Sequence, residues 1–222
     1  METFNKFQKR FKVPLVEGYG LSEAAPICAL NPLHGERKAG SIGLPINNVL
    51  IKIRDEKGNE LSPGIEGEIT VKGDNVMSGY YNNPEATKEV LKDGWLYTGD
   101  LAKKDEEGYI FILDRKKDMI ITNGMNIYPR EVEEVFYRHP AVADVSIVGL
   151  KDNLHGEVPV AVVVLKEGAT ATEAELKKYA REHVANYKAP HKVEFWKELP
   201  RNSTGKVEKK AIRKKVNEEH KK

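Results

Sequence analysis

The sequence holds a single cysteine, Cys28, so no internal disulfide can form, and a fold that needs none suits a reducing compartment such as the cytoplasm. Long apolar runs are missing too. The longest, Val158 to Leu165, falls far short of the roughly 20 residues that span a bilayer, and the opening METFNKFQKRFK has no apolar core of a secretory leader. No transmembrane segment is therefore expected. Nor is there an excess of charge of one sign: a net charge of +2 over 222 residues gives no broad electrostatic footprint for nucleic acid or an anionic membrane surface. Only the tail from Lys206 onward is distinctly basic. Internal repeats and low-complexity tracts are absent.

What is present divides into two grammars. From Val49 to Leu113 the pattern is β: VLIKIRDEKGNEL alternates and then turns at Lys57-Gly58-Asn59, GEITVKG is a short strand, and GYIFIL follows a turn at Glu106-Glu107-Gly108. Short strands with glycine turns predict an antiparallel sheet or distorted β-barrel over residues 46–113. One helix interrupts it, NNPEATKEVL, with Asn83 as N-cap and Pro84 in the first helical position. Beyond Ile121, Pro129 opens a helix that puts Val132, Val135 and Phe136 on one face. The strands VADVSIV and VPVAVVVL follow, then a helix with Thr172 and Glu175 at capping-box spacing and a stripe of Leu176, Tyr179, Ala180 and Val184. Pro190 ends that segment, KVEFW is a last strand, and Lys209 to Val216 is a terminal helix.

The charged stretch LDRKKD, Leu113 to Asp118, joins the two grammars and is the expected boundary, giving domains of residues 1–116 and 117–222. The fold class predicted is α+β: the C-terminal part of a larger domain, then a small α+β domain. VPLVEGYGLSEAAPICAL reads as a buried strand running into a glycine-rich turn with no partner strands before it, so the chain is expected to begin partway through that larger domain.

Several short motifs carry candidate chemistry, and each alone also has a plain structural reading. Glu17-Gly18-Tyr19-Gly20-Leu21-Ser22-Glu23 can be a strand end and turn; Thr98-Gly99-Asp100 can be a β-turn in which Asp bonds its own backbone. Lys206 can be a solvated cation beside a basic helix.

Their order changes the reading. Tyr19-Gly20-x-Ser22-Glu23, Trp95-x-Tyr97-Thr98-Gly99-Asp100, Arg115-x-x-Asp118, Gly124-x-x-Ile127-x-Pro129-x-Glu131-Val132-Glu133 and Pro200-x-x-x-x-Gly205-Lys206 stand in series. From about Val13 to Lys210 the chain resembles the adenylate-forming acyl-CoA synthetase superfamily, and DRKKDMIITNGMNIYPREVEEV looks most like its fatty-acid CoA ligase branch. The resemblance implies an acid–thiol ligase of fatty-acid metabolism that uses ATP, Mg²⁺ and coenzyme A, passes through an acyl-adenylate and releases AMP. It implies that Asp100 accepts the ribose hydroxyls, with Arg115 nearby as a donor. Tyr19 would lie against the adenine, with Gly20 and Gly18 letting the backbone approach the nucleotide. Ser22 would reach the α-phosphate, and Glu23 would help hold Mg²⁺. Lys206, as a compact ammonium on a flexible loop, would meet the charge that builds during adenylation. Gly124 would line the path of pantetheine in the thioester step. Lys117, two positions after Arg115, would be the hinge between the two half-reactions.

Two departures matter. Asp114 precedes Arg115 where many relatives have glycine, and no Ser/Thr/Gly-rich phosphate loop ending in Pro-Lys-Gly occurs in the chain. A missing N-terminal portion of the enzyme is therefore the main partner expected, and the chain alone is expected to be inactive in adenylation. The apolar surface left by that portion makes a homodimer conceivable. Two alternatives stand beside this reading: a fragment of a domain that loads a carrier protein, and a non-catalytic subunit that docks on a separately encoded N-terminal half.

Overall fold

Alternation of apolar and polar residues builds the first sheet. In the computed structural model, which describes residues 7, 9–11 and 13–220, strand β4 (Val49–Arg54) buries Val49, Ile51 and Ile53 on one face, as the two-residue period of a strand requires. Most of the opening segment inspected for a leader, and the last two residues of the basic tail, lie outside the described residues.

The chain divides into two compact units, Met1–Lys116 and Lys117–Lys222. In the first, β1 (Gly18–Gly20), β2 (Ile27–Leu30) and β3 (Leu44–Pro45) make a small antiparallel sheet in that order. A larger antiparallel sheet joins β4 to β5 (Gly67–Gly73), β5 to β7 (Trp95–Lys104), and β7 to both β6 (Leu91–Lys92) and β8 (Ile110–Arg115). Helix α1 (Pro84–Val90) starts where Asn83 Oδ1 accepts the Ala86 N–H at 3.1 Å. One apolar cluster, including Ala24, Cys28, Ile53, Ile69, Val71, Leu96 and Ile110, joins the two sheets. Burial pushes the Cys28 thiol up to about 11, so it is an unreactive core residue at neutral pH.

The expected buried strand from Val13 is not there. Val13 and Pro14 are exposed, and the strand is confined to Gly18–Gly20. Its partner is β2, which follows it, so the apolar residues at 13–16 have no ladder to join.

In the second unit, β9 (Ile120–Thr122) and β10 (Met125–Ile127) form a hairpin, and β11 (Val142–Asp152) pairs antiparallel with β12 (Gly156–Leu165). Strand β13 (Lys192–Phe195) pairs with β12 in parallel. Alternation along β12 feeds two cores. Ala161 and Val163 pack with Phe136 of α2 (Pro129–Tyr137) and Leu176 of α3 (Glu173–His183), whereas Val160 and Val162 pack with Ile212 and Val216 of α4 (Lys209–Glu219). Each fully buried Val, Leu, Ile or Phe among these contributes roughly 1.5–3 kcal/mol. Both faces covered explains why VPVAVVVL shows no polar alternation.

Helix α3 carries the full reciprocal cap: the Glu175 N–H donates to Thr172 Oγ1 at 3.2 Å, and the Thr172 N–H donates to Glu175 Oε2 at 2.7 Å. Thr172→Ala is expected to lower the unfolding free energy of the second unit by about 1 kcal/mol, while Thr172→Ser leaves it nearly unchanged. Urea titration followed by circular dichroism reads both.

Candidate functional site

Strand β7 contains an irregularity at the residues of interest. Glu68 and Thr70, two positions apart on β5, face Leu101 and Tyr97, four positions apart on β7, so Thr98-Gly99-Asp100 bulges out of the ladder. This is neither a β-turn nor a regular strand. Gly99 sits at φ 73°, with open space where a Cβ would be, so the backbone conformation and not crowding demands glycine there. The groups that leave the ladder find side-chain partners. Thr98 Oγ1 donates to the Ile69 carbonyl at 2.9 Å and accepts the Asp100 N–H at 3.1 Å, and Glu68 Oε1 accepts the Gly99 N–H at 3.0 Å.

The bulge delivers Asp100 to two donors. The Tyr19 hydroxyl from β1 donates to Oδ2 at 2.6 Å, and Arg115 Nε, opposite Asp100 on β8, donates to Oδ1 at 3.1 Å. The Asp100 side chain is only 16% exposed. Each of its oxygens holds one donor and keeps lone-pair capacity for another. Such a carboxylate can take a pair of adjacent hydroxyls while Tyr19 and Arg115 hold it still. Burial raises the Tyr19 phenol above its ordinary value, and the adjacent Asp100 charge raises it further.

Ser22 and Glu23 lie in a short 3₁₀ turn, Ser22–Ala24, immediately after β1. Ser22 is exposed, and Glu23 Oε1 accepts the Tyr80 hydroxyl at 2.8 Å. No group of three or more His, Cys, Asp or Glu able to hold a metal occurs among the described residues. A carboxylate such as Glu23 offers the oxygen ligands that a hard cation like Mg²⁺ takes. Gly20 has a reason for being glycine inside the chain itself, since a Cβ would stand 1.8 Å from the Pro26 carbonyl oxygen. The β1–β2 hairpin requires it before any nucleotide does.

In the second unit, Gly124 is the second residue of an Asn123-Gly124 turn between β9 and β10, with φ of 51° and 77°, a tight hairpin of the type these two residues favour. Exposed Met125 and Ile121 flank it. Lys206 lies in a loop closed by an Arg201–Val207 bridge. Asn202 Oδ1 accepts from the Thr204 N–H, the Thr204 hydroxyl and the Lys206 N–H at 3.1, 2.8 and 2.9 Å. One amide oxygen thus gathers two backbone N–H groups and a hydroxyl of this loop. The Lys206 ammonium makes no hydrogen bond or ion pair among the described residues.

At the boundary, the Lys116 N–H donates to the Gly99 carbonyl at 2.8 Å, and the Arg213 guanidinium donates to the carbonyls of Lys117 and Asp118 at 3.1 and 3.2 Å. The sequence reading missed Glu68, Asn202 and Arg213, whose partners are distant in sequence or are backbone groups. It also passed over the Asn-Gly hairpin, whose signal was legible.

Two family models match: AMP-binding enzyme over residues 1–81 and AMP-binding enzyme C-terminal domain over residues 131–206. A long-chain-fatty-acid–CoA ligase of Bacillus subtilis (strain 168) is 48% identical over 99% of this chain, and a 2-succinylbenzoate–CoA ligase of Bacillus cereus is 44% identical over 93%. The chain spans 40% and 42% of the length of these two relatives. Among solved structures, ATP-bound MatB from Rhodopseudomonas palustris is similar at TM-score 0.92 and 38% identity, over 99% of this chain and 44% of that one. The o-succinylbenzoate CoA synthetase of Bacillus subtilis, in complex with its acyl-adenylate intermediate, is similar at TM-score 0.88 and 37% identity, over 95% and 43%.

A phenol whose folded pKa lies above its ordinary value of about 10 adds stability below that value. The contribution fades as pH rises past it, because the unfolded chain ionises first. The protein is therefore expected to lose stability above about pH 10, and Tyr19→Phe to lose less over the same interval. Melting temperature against pH for both proteins measures the difference.

Proposed function

Because this chain belongs to the AMP-binding enzyme family, with residues 131–206 matching the family's C-terminal domain, we propose that it forms the C-terminal part of an acyl-CoA synthetase for medium- or long-chain fatty acids. Asp100 carries the reading: a shielded carboxylate with each oxygen already steadied by one donor suits the paired hydroxyls of a ribose. Each charge-assisted bond of that kind contributes roughly 1.5–3 kcal/mol. The fatty-acid class is supported by the 48% identity to a long-chain-fatty-acid–CoA ligase.

In the proposed reaction the fatty-acid carboxylate attacks the α-phosphate of ATP, forming an acyl-adenylate and expelling pyrophosphate. The thiol of coenzyme A then attacks the acyl carbonyl, releasing AMP and losing its proton. Tyr19 and Arg115 hold Asp100 for the ribose, and the exposed Ser22 hydroxyl is offered to the α-phosphate. Glu23 would supply a carboxylate to Mg²⁺, which neutralises charge on the phosphates. Lys206 supplies a fixed positive charge for the adenylation step. Gly124, at a tight exposed turn with no side chain, leaves room for the pantetheine arm in the second step.

Lys117 is the proposed hinge. The Lys116 N–H is tied within the first unit and the carbonyls of Lys117 and Asp118 within the second. The torsions that can turn without breaking those bonds are therefore those of Lys116 and Lys117.

An intact enzyme carrying this chain is expected to exchange pyrophosphate in a fatty-acid-dependent way. Lys206→Ala should slow that exchange by about 10² to 10³, the range for losing one preorganised charge stabiliser, and barely change thioester formation from supplied acyl-adenylate. Exchange with 2-succinylbenzoate but with no fatty acid would overturn the substrate class. Proline fixes φ near about −65°, so Lys117→Pro should preserve one half-reaction, adenylation, and remove most coenzyme A transfer, while Lys117→Ala stays mild in both. Separate rates for each half-reaction decide it, and intact rates in the proline variant would move the hinge elsewhere.

A further inference from the structure

The proposal that follows rests on the reading of Lys206 as the adenylation cation. The peptide group joining Gly205 to Lys206 is held at both ends. Its N–H donates to Asn202 Oδ1 at 2.9 Å, and its carbonyl oxygen accepts from Arg201 Nη1 at 2.7 Å. The Lys206 carbonyl in turn accepts the Asn202 N–H at 2.9 Å. With that peptide and the Lys206 carbonyl both held, the direction of the Lys206 Cα–Cβ bond is set, and the four side-chain torsions aim its ammonium.

The carbonyl clamp is anchored outside the loop. Through Nη2 the same guanidinium is paired with Asp144 Oδ2, and Asp144 is itself immobilised. Its Oδ1 accepts the Tyr137 hydroxyl at 2.7 Å and the Val145 N–H at 2.9 Å. Tyr137 ends α2, and Asp144 belongs to β11. A chain of bonds thus runs from α2 and β11 through Asp144 and Arg201 to the peptide that presents Lys206. The planar fork of arginine suits this task, since one donor grips a carboxylate while another grips a carbonyl.

We propose that Arg201 and Asp144 are positioning residues for Lys206: they do not touch substrate but fix the direction in which the lysine leaves the backbone. Misplacement of a reacting group by about 1 Å can cost on the order of 10²-fold, so the effect should fall on the rate of adenylation and not on substrate binding.

The test uses the intact enzyme carrying this chain. Arg201→Ala and Asp144→Ala should each lower kcat for fatty-acid-dependent pyrophosphate exchange by about 10- to 100-fold, with KM for ATP and acid nearly unchanged. Arg201→Lys, which keeps the charge but lacks the planar fork that grips Asp144 and the Gly205 carbonyl with separate nitrogens, should fall between wild type and Arg201→Ala, and it serves if the alanine variants fail to fold. Placed in a Lys206→Ala background, Arg201→Ala or Arg201→Lys should cost almost nothing further. That non-additivity separates positioning from a general structural loss. If Lys206→Ala slows exchange while the Arg201 variants do not, or if the losses multiply in the double variants, the brace is refuted and the lysine's role stands. If Lys206→Ala itself has no effect on exchange, the reading of Lys206 fails first.

Discussion

Strand β7 must satisfy two demands that conflict: it pairs with β5, β6 and β8, and it must also put a carboxylate where Tyr19 and Arg115 can reach it. A regular ladder would fix each side chain on one face in strict alternation. The bulge at Thr98-Gly99-Asp100 relaxes that alternation locally and preserves pairing on either side. Buried backbone groups without partners cost about 1–3 kcal/mol each, so the Thr98 hydroxyl and the Glu68 carboxylate are as much part of the arrangement as Asp100 itself. Glu68 reaches further, because its other oxygen accepts from Lys116 Nζ at 3.3 Å, which links the bulge to the last residue of the first unit.

The second unit solves a related problem by different means. A lysine at a loop tip has about 2 kcal/mol of rotamer entropy, and a mobile backbone would add to the freedom that must be lost on meeting a charge. Asn202 and Arg201 remove the backbone part in advance. What remains free is the long side chain of Lys206 with its four torsions. This preorganisation is compatible with an exposed position because the bonds holding the loop run to side chains and backbone of the same unit.

The glycines illustrate how one residue type serves different constraints. At Gly20 the constraint is steric and internal, since the Pro26 carbonyl occupies the place of a Cβ. At Gly99 the space is open and the positive φ decides. A sequence motif records both simply as glycine, and the tempting explanation, close approach of a ligand, is unnecessary for either.

Much of the fold was legible in the sequence, because its causes are local. The Asn83 and Thr172 caps, the alternation of β4, the helix opened by Pro129 and the break in grammar at LDRKKD all depend on residues within a few positions of one another. The order of the motifs was equally legible and identified the family. Tertiary structure decided what depends on partners far along the chain: the meeting of Tyr19 with Asp100 across 81 positions, the capture of Gly99 by Glu68, and the bracing of Arg201 by Asp144. It also overturned the buried strand at Val13, since burial is set by what covers a segment and not by its own apolar content. Periodicity and caps report the neighbourhood of a residue along the chain; the distance between two polar groups exists only once the sheets have paired.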